Sequence, residues 1–161
     1  YGEVFPEPIA YNFGSQLIKV PSLDGSGKMS KSENQLATIY LADSDEAIAN
    51  KIRKAKTDSG LPGSENERPG LFLLMKLVSA PEVLEQFEKD YEQGQIRYGD
   101  MKKQLTDDMI NFLRPIREKA ESIRRDDPYL KLIMEQGAEK ARRSAGATIE
   151  IVREAMGLKY F

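Results

Sequence analysis

The stretch LDGSGKMSKS (Leu23–Ser32) is the most informative part of the chain, because its residue types indicate both a local structure and a chemistry. Its second half holds two lysines three positions apart, each closely followed by a serine, and two glycines precede it. Ammonium groups, hydroxyls and the backbone N–H groups behind glycines together form a cradle for phosphate oxygens. We therefore predict a polyphosphate-binding loop whose cations are Lys28 and Lys31, with Ser30, Ser32 and the backbone of Met29 completing it.

The composition narrows the possible chemistry. The chain has 161 residues and contains neither cysteine nor histidine. It therefore lacks disulfides, thiolate metal sites and cysteine nucleophiles, and it also lacks the usual general base and the commonest zinc ligand. Ordinary metalloenzymes and hydrolase triads are not favoured, and we predict no metal site on this chain.

Hydrophobic residues make up 40% of the chain and the net charge is −2. The first value fits a globular protein with one sizeable core or two small ones. The second gives no overall attraction to nucleic acid, so any RNA contact requires local clusters of Lys and Arg. No apolar run approaches the roughly 18 residues that span a bilayer, so we expect a cytoplasmic protein without a membrane partner. A start at Tyr1 without Met suggests part of a longer polypeptide.

The loop is flanked by short apolar runs and then by a helix. Residues 16–20 read as a short strand that Pro21 stops, and residues 37–41 form a second apolar run. Asp43 followed by Glu46 three positions later resembles a capping box. We expect a helix from about Ser44 to Lys56 with Asp43 as its N-cap.

Everything beyond this point has helical periodicity. The sequence predicts a buried helix over Leu71–Val78, a helix from Pro81 to near Gly94, a long helix from Asp100 to before Pro128, and a last helix from about Tyr129 to Met156. Pro115 is expected to kink the long helix. Short connections between helices of this length are typical of an antiparallel bundle.

Apolar stripes on the last two helices are predicted to face the core. In the long helix the stripe consists of Leu105, Met109, Phe112, Ile116, Ala120 and Ile123. In the last helix the inner side carries Leu130, Ile133, Met134, Ala138, Ala141, Ala145, Ile149, Val152 and Met156.

The motif KMSKS at Lys28–Ser32 resembles, letter for letter, the second signature of class I aminoacyl-tRNA synthetases. The surrounding stretches are similar to those of the tryptophanyl-tRNA synthetases, in the same order along nearly the whole chain. These stretches are LDGSG before the signature and KAKTDS, RPG, LRPI, GAEKA and AMGL after it.

This resemblance implies a mainly α fold. Residues 1–42 would be the C-terminal edge of a Rossmann-type α/β nucleotide-binding domain, a remnant consisting of short strands and the KMSKS loop. Residues 43–161 would be an antiparallel α-helical bundle that binds the tRNA anticodon. The other half of the family's ATP site and the whole tryptophan pocket are missing, so the chain alone is expected to be inactive.

The resemblance also implies a reaction and its partners. Tryptophan and ATP, accompanied by Mg²⁺, would give tryptophanyl-adenylate and pyrophosphate, and the acyl group would then pass to tRNA(Trp). The full-length enzyme would be a homodimer. Negative charge grows on the departing pyrophosphate, so cations and N–H donors aimed at it lower the barrier.

By the same resemblance, Lys31 would stabilise the transition state and Lys28 would hold the phosphates of bound ATP. Met29 would present its main chain to the adenine side, as would Ile18 in the preceding strand. Catalysis would thus be carried by Lys28 and Lys31, and ATP binding by Ile18 together with Lys28–Ser32.

Two other interpretations stay open from the sequence. The chain could belong to a tyrosyl-type synthetase, or it could be a non-catalytic helical RNA-binding module that keeps a relic phosphate loop. Basic clusters could contact RNA phosphates, although a charged, solvated helix face is the favoured interpretation of each cluster. These clusters are Lys51, Arg53, Lys54 and Lys56; Arg114, Arg117, Arg124 and Arg125; and Lys140, Arg142 and Arg143.

Overall fold

The computed structural model describes residues 2, 4–11, 19–32, 34–57 and 70–158. These residues form a short 3-10 helix (Gln35–Ala37) and the α-helices α1 (Asp45–Arg53), α2 (Gly70–Val78), α3 (Pro81–Glu92), α4 (Tyr98–Arg124) and α5 (Asp127–Ala155). The mainly helical prediction is confirmed. In the described residues the only β pairing is an isolated antiparallel bridge between Pro21 and Lys28. Most of the predicted strand at 16–20 lies outside the described residues, and Lys19 and Val20 form no strand.

The N-terminus of α1 differs from the prediction. Ser44, not Asp43, is the N-cap, and its hydroxyl accepts a hydrogen bond from the Ala47 N–H at 3.1 Å. The helix also ends at Arg53, three residues before the predicted end. Asp43 is unavailable as a cap because its carboxylate accepts hydrogen bonds from the Tyr40 N–H and the Lys51 ammonium group. A serine that follows the aspartate takes the capping position instead.

Helices α2 and α3 follow the prediction closely. Pro81 occupies the first turn of α3, where its missing N–H costs no hydrogen bond. After α3, Gly94 has a φ of +66°, and the Gln95 N–H donates to the Asp90 carbonyl at 2.8 Å. This is a Schellman ending, which requires the left-handed conformation that glycine adopts without strain.

The chain divides into two compact units, and the unit Ile18–Lys119 contains the hydrophobic core. Helices α1 to α4 all contribute to this core: Ile48 and Ile52 come from α1, Leu71, Phe72, Leu74 and Met75 from α2, Tyr91 from α3, and Met101, Leu105, Met109 and Leu113 from α4. Both sides of the predicted domain boundary at residues 42 and 43 lie within this unit, and that boundary stays a prediction.

The buried row of α4 corrects the predicted stripe. It advances by steps of four through Met101, Leu105, Met109 and Leu113, and α4 continues through Pro115 without interruption. Phe112 and Ile116, which were predicted to be core residues, are 50% and 40% exposed. Since helical neighbours four positions apart lie one above the other, a row in steps of four leaves Phe112 on the flank of the core.

The other unit comprises Tyr1–Leu17 and Ala120–Phe161, and it contains α5. No residue of α5 is buried. Leu130, Ala138 and Val152 are half-buried, whereas Ile133, Met134 and Ile149 are exposed, so the described residues do not cover the predicted inner side of this helix. Among the described residues, no helix is both long and apolar enough to cross a membrane.

Candidate phosphate-binding site

The candidate site begins with a tight hairpin that presents Lys28. Pro21 and Lys28 face each other across the antiparallel bridge. Pro21 has no N–H, so the pairing depends on its neighbours: the Met29 N–H donates to the Val20 carbonyl at 2.7 Å, and the Ser22 N–H donates to the Gly27 carbonyl at 2.9 Å. The hairpin fixes the backbone immediately before the KMSKS motif.

Asp24 organises the turn of this hairpin. Its carboxylate accepts hydrogen bonds from the Ser22 hydroxyl at 2.9 Å, the Ser26 N–H at 3.0 Å and the Asn34 side-chain amide at 3.2 Å. Hydrogen bonds to Ser26, above all to its hydroxyl, hold the pKa of Asp24 well below its usual value, because they favour the ionised carboxylate. Asp24 therefore ties together the two ends of the segment that contains both lysines.

Two glycines make the turn possible, and a third lysine lies beside it. Gly25 and Gly27 have φ values of +74° and +132°, which other residues rarely adopt. A Cβ on Gly25 would lie 3.4 Å from the Lys56 Cδ and 4.0 Å from its Nζ, so the Lys56 side chain lies along the turn. The Lys56 N–H also donates to the carbonyl of buried Leu23 at 2.7 Å, which anchors the turn to the core.

The segment after the hairpin is attached to residues 38–40 by three side-chain contacts. The Ile39 N–H donates to the Met29 Sδ at 3.3 Å, the Thr38 hydroxyl donates to the Ser30 carbonyl at 2.8 Å, and the Tyr40 hydroxyl approaches the Lys31 carbonyl at 3.5 Å. Met29 also packs against the hydrophobic core. No ladder of backbone hydrogen bonds joins the described residues of these two segments. The hairpin therefore holds Lys28, whereas the position of Lys31 depends on these side-chain contacts.

The two predicted catalytic lysines are exposed. Among the residues that the structure describes, no carboxylate forms an ion pair with Lys28 or Lys31. Ser30 and Ser32 are joined by a long contact of 3.4 Å between the Ser32 N–H and the Ser30 hydroxyl. Ile18 lies outside the described residues, so its predicted role stays a prediction. The arrangement offers two solvent-facing ammonium groups to an anion.

Sequence reasoning missed an ion pair between Lys51 and Asp43 that contacts residues 38 and 40. The Lys51 Nζ lies 2.6 Å from the Asp43 carboxylate, donates to the Thr38 carbonyl at 2.8 Å, and sits 4.6 Å from the centre of the Tyr40 ring. Lys51 was predicted to be a possible RNA contact, but its side chain is only 11% exposed and its ammonium group is bound inside the protein. An Asp eight residues before a Lys, across a helix start, was the available signal.

Several arginines of the predicted basic clusters also have carboxylate partners. Arg117 on α4 donates to the Asp43 carbonyl and pairs with Asp45, and Arg114 lies 3.6 Å from the same Asp45 carboxylate. Exposed pairs at i and i+4 occur in Arg125 with Glu121 and in Arg143 with Glu139. These pairs favour a charged, solvated helix face over free phosphate contacts at these positions. Within the described ranges, no group of acidic side chains could hold a metal ion.

Comparison with known proteins yields a consistent set of relatives. The family model described as tRNA synthetases class I (W and Y) matches residues 4–114. The tryptophan–tRNA ligase of Porphyromonas gingivalis is 44% identical over 98% of this chain and 49% of its own length. The chain thus spans about half the length of the curated relatives it matches.

Solved structures show the same pattern. The crystal structure of tryptophanyl-tRNA synthetase from Campylobacter jejuni, complexed with ADP and tryptophan, aligns with a TM-score of 0.70 at 28% identity over 90% of this chain and 45% of that chain. The tyrosyl-tRNA synthetase of Aeropyrum pernix aligns with a TM-score of 0.56 at 26% identity over 73% of this chain and 37% of that chain.

Proposed function

Because the chain belongs to the class I tRNA synthetases of the tryptophan and tyrosine family, we propose that the polypeptide carrying it is a tryptophan–tRNA ligase. Tryptophan is favoured over tyrosine because the curated relative from Porphyromonas gingivalis is a tryptophan ligase. In addition, the tryptophanyl structure aligns over more of the chain and with the higher TM-score. The observation that carries the proposal is the exposure of both lysines in the KMSKS segment. No carboxylate among the described residues forms an ion pair with either of them.

The proposed reaction has two steps. A carboxylate oxygen of tryptophan attacks the α-phosphorus of magnesium-bound ATP, a new P–O bond forms, and the bond to the bridging oxygen breaks to release pyrophosphate. A hydroxyl at the 3′ end of tRNA(Trp) then attacks the acyl carbon and displaces AMP. The first step places growing negative charge on pyrophosphate, so it needs positioned cations more than covalent help from side chains.

The residues at the site fit the first step. Lys31 stabilises the departing pyrophosphate in the transition state, and Lys28 holds the phosphates of bound ATP. The hydroxyls of Ser30 and Ser32 and the main chain around Met29 complete the ATP contacts, and Ile18 contributes main-chain contact on the adenine side. The ordered hairpin around Asp24 supports these roles because it limits the backbone freedom of the segment before catalysis.

The remaining parts of the proposal concern organisation. Residues 1–42 form the edge of a Rossmann-type nucleotide-binding domain, and residues 43–161 form the helical domain that contacts tRNA. The rest of the ATP site and the tryptophan pocket belong to the other half of the ligase, which this chain does not include. The enzyme acts in the cytoplasm as a homodimer.

The test is amino-acid-dependent exchange of pyrophosphate into ATP by the natural polypeptide that carries these 161 residues. We expect exchange with tryptophan, none with tyrosine, and background exchange from the 161-residue chain alone. Replacing both lysines, K28A with K31A, should abolish exchange while the thermal unfolding midpoint stays unchanged. Exchange with tyrosine would favour the tyrosyl type. Exchange that survives both replacements would show that the loop is a relic without catalytic function.

A further inference from the structure

We propose that Lys51, on α1, is a positioning residue for the KMSKS segment (Lys28–Ser32). It holds residues 38–40 in the arrangement to which the segment is attached, and so sets the position of the segment after the hairpin, including Lys31. The consequence for catalysis rests on the proposed function, whereas the consequence for the backbone does not.

The KMSKS segment is attached to residues 38–40 through side chains. Three successive residues, Met29, Ser30 and Lys31, each make one contact with residues 38–40, and each contact uses a side chain on one side. Contacts of this kind fix a backbone only if the partner residues are themselves fixed. Residues 38–40 belong to no strand and follow the short helix Gln35–Ala37, so something other than a sheet must hold them.

Lys51 on α1 supplies that support. Its ammonium group donates to the Thr38 carbonyl at 2.8 Å and lies 4.6 Å from the centre of the Tyr40 ring. It also pairs with Asp43, whose carboxylate accepts the Tyr40 N–H at 2.9 Å. Both residues whose hydroxyls reach the KMSKS segment are therefore bound to the Lys51 and Asp43 pair.

Burial makes this support specific. The Lys51 and Asp43 side chains are only 11% and 14% exposed, so their pairing is poorly screened by water and has one well-defined geometry. The cation also forms a ring contact, and α1 carries it on a helix whose Ile48 and Ile52 are fully buried. The support is thus joined to the core of the unit, whereas the KMSKS lysines remain at the surface.

The test compares K51M with K76M in the natural polypeptide. Met keeps the length of the side chain and removes its charge, and Lys76 is an exposed lysine on α2 that provides the matched control. We expect K51M to raise the KM for ATP and to lower kcat in pyrophosphate exchange, so that kcat/KM for ATP falls by about tenfold to a hundredfold, as small misplacements of catalytic groups cause. The KM for tryptophan should not change, and K76M should behave as the wild type.

A double variant separates positioning from folding. K51M leaves Asp43 as an unpaired, largely buried carboxylate, whereas K51M combined with D43N removes both charges. We expect the double variant to regain the thermal midpoint of the wild type and to keep the raised KM for ATP. A KM for ATP that returns to the wild-type value together with stability would overturn the proposal, as would a K51M variant indistinguishable from K76M.

Limited trypsin digestion tests the proposal without a measurement of activity. Cleavage after Lys28 and Lys31, followed by mass spectrometry, should be several-fold faster in K51M and in the double variant than in K76M. Unchanged cleavage would contradict the positioning role. If the wild type shows no tryptophan-dependent exchange, the proposed function fails, and the cleavage rates alone still decide whether Lys51 fixes the segment.

Discussion

The KMSKS segment and the core formed by α1 to α4 are stabilised by different interactions. The segment is polar and surface-lying, and its position depends on a few hydrogen bonds to residues 38–40. The core is apolar, and the side chains at its centre, such as Met75, Met101 and Leu105, are fully buried. Substitutions in the segment should therefore change activity, whereas substitutions in the core should change global stability.

The largest expected effect tests the core side of this comparison. Leu105→Ala removes a fully buried side chain from α4 and leaves a cavity, which should cost about 2–5 kcal/mol of unfolding free energy. The matched control is Phe112→Ala on the same helix, where a half-exposed ring should cost much less. Urea titration of the natural polypeptide, followed by helical circular dichroism, measures both. Equal losses of unfolding free energy in the two variants would show that the core is not formed by the face of α4 that contains Leu105.

The next effect tests the segment side, and it also separates the two lysines. Lys31→Ala should lower kcat of pyrophosphate exchange by about 10²–10³, the usual cost of losing one donor to a developing negative charge. Lys28→Ala should chiefly raise the KM for ATP. Neither replacement should move the unfolding midpoint, since both side chains are exposed and have no described ion-pair partner. If either lysine replacement lowered stability as much as Leu105→Ala does, the expected difference between the two regions would be wrong.

The smallest effect concerns pH and the turn at Asp24. The pKa of this carboxyl is lowered in the folded protein, chiefly by Ser26, so its ionised form stabilises the fold above the usual carboxyl pKa. That stabilisation is lost as the pH falls through the lowered pKa. The difference in unfolding free energy between the wild type and D24N should therefore be constant between about pH 6 and 8 and shrink below about pH 4. A difference that grows on acidification would contradict the hydrogen-bonded, ionised carboxylate.

The ends of a helix could be predicted from the sequence where only one residue offered a start or stop signal. Pro81 and Gly94 mark the ends of α3, and the structure places them in the first turn and in the Schellman ending. The predicted N-cap of α1 was wrong. Asp43 and Ser44 are both good caps, and the tertiary contacts of Asp43 with Tyr40 and Lys51 leave Ser44 as the cap. Propensity alone does not contain that information.

The core of α4 was only half predictable. Steps of three and four both keep a residue on one face, so Leu105 and Met109 were predicted correctly, whereas a step of three from Met109 led to Phe112 and missed Leu113. The KMSKS residues could be identified from their own pattern, because a phosphate cradle needs a local set of donors. The supporting contacts from Thr38, Tyr40 and Lys51 depend on how separate segments meet, and sequence spacing indicates only the pairing of Lys51 with Asp43.

One close approach in the fold has a consequence for how this chain can vary. Gly70, the first residue of α2, lies so near Pro21 that an added Cβ would stand 3.0 Å from the proline Cβ. The pyrrolidine ring is rigid and cannot yield, so any larger residue at position 70 would push on the hairpin that begins the site. In descendants of this sequence, position 70 should therefore stay glycine for as long as the hairpin keeps its place beside α2.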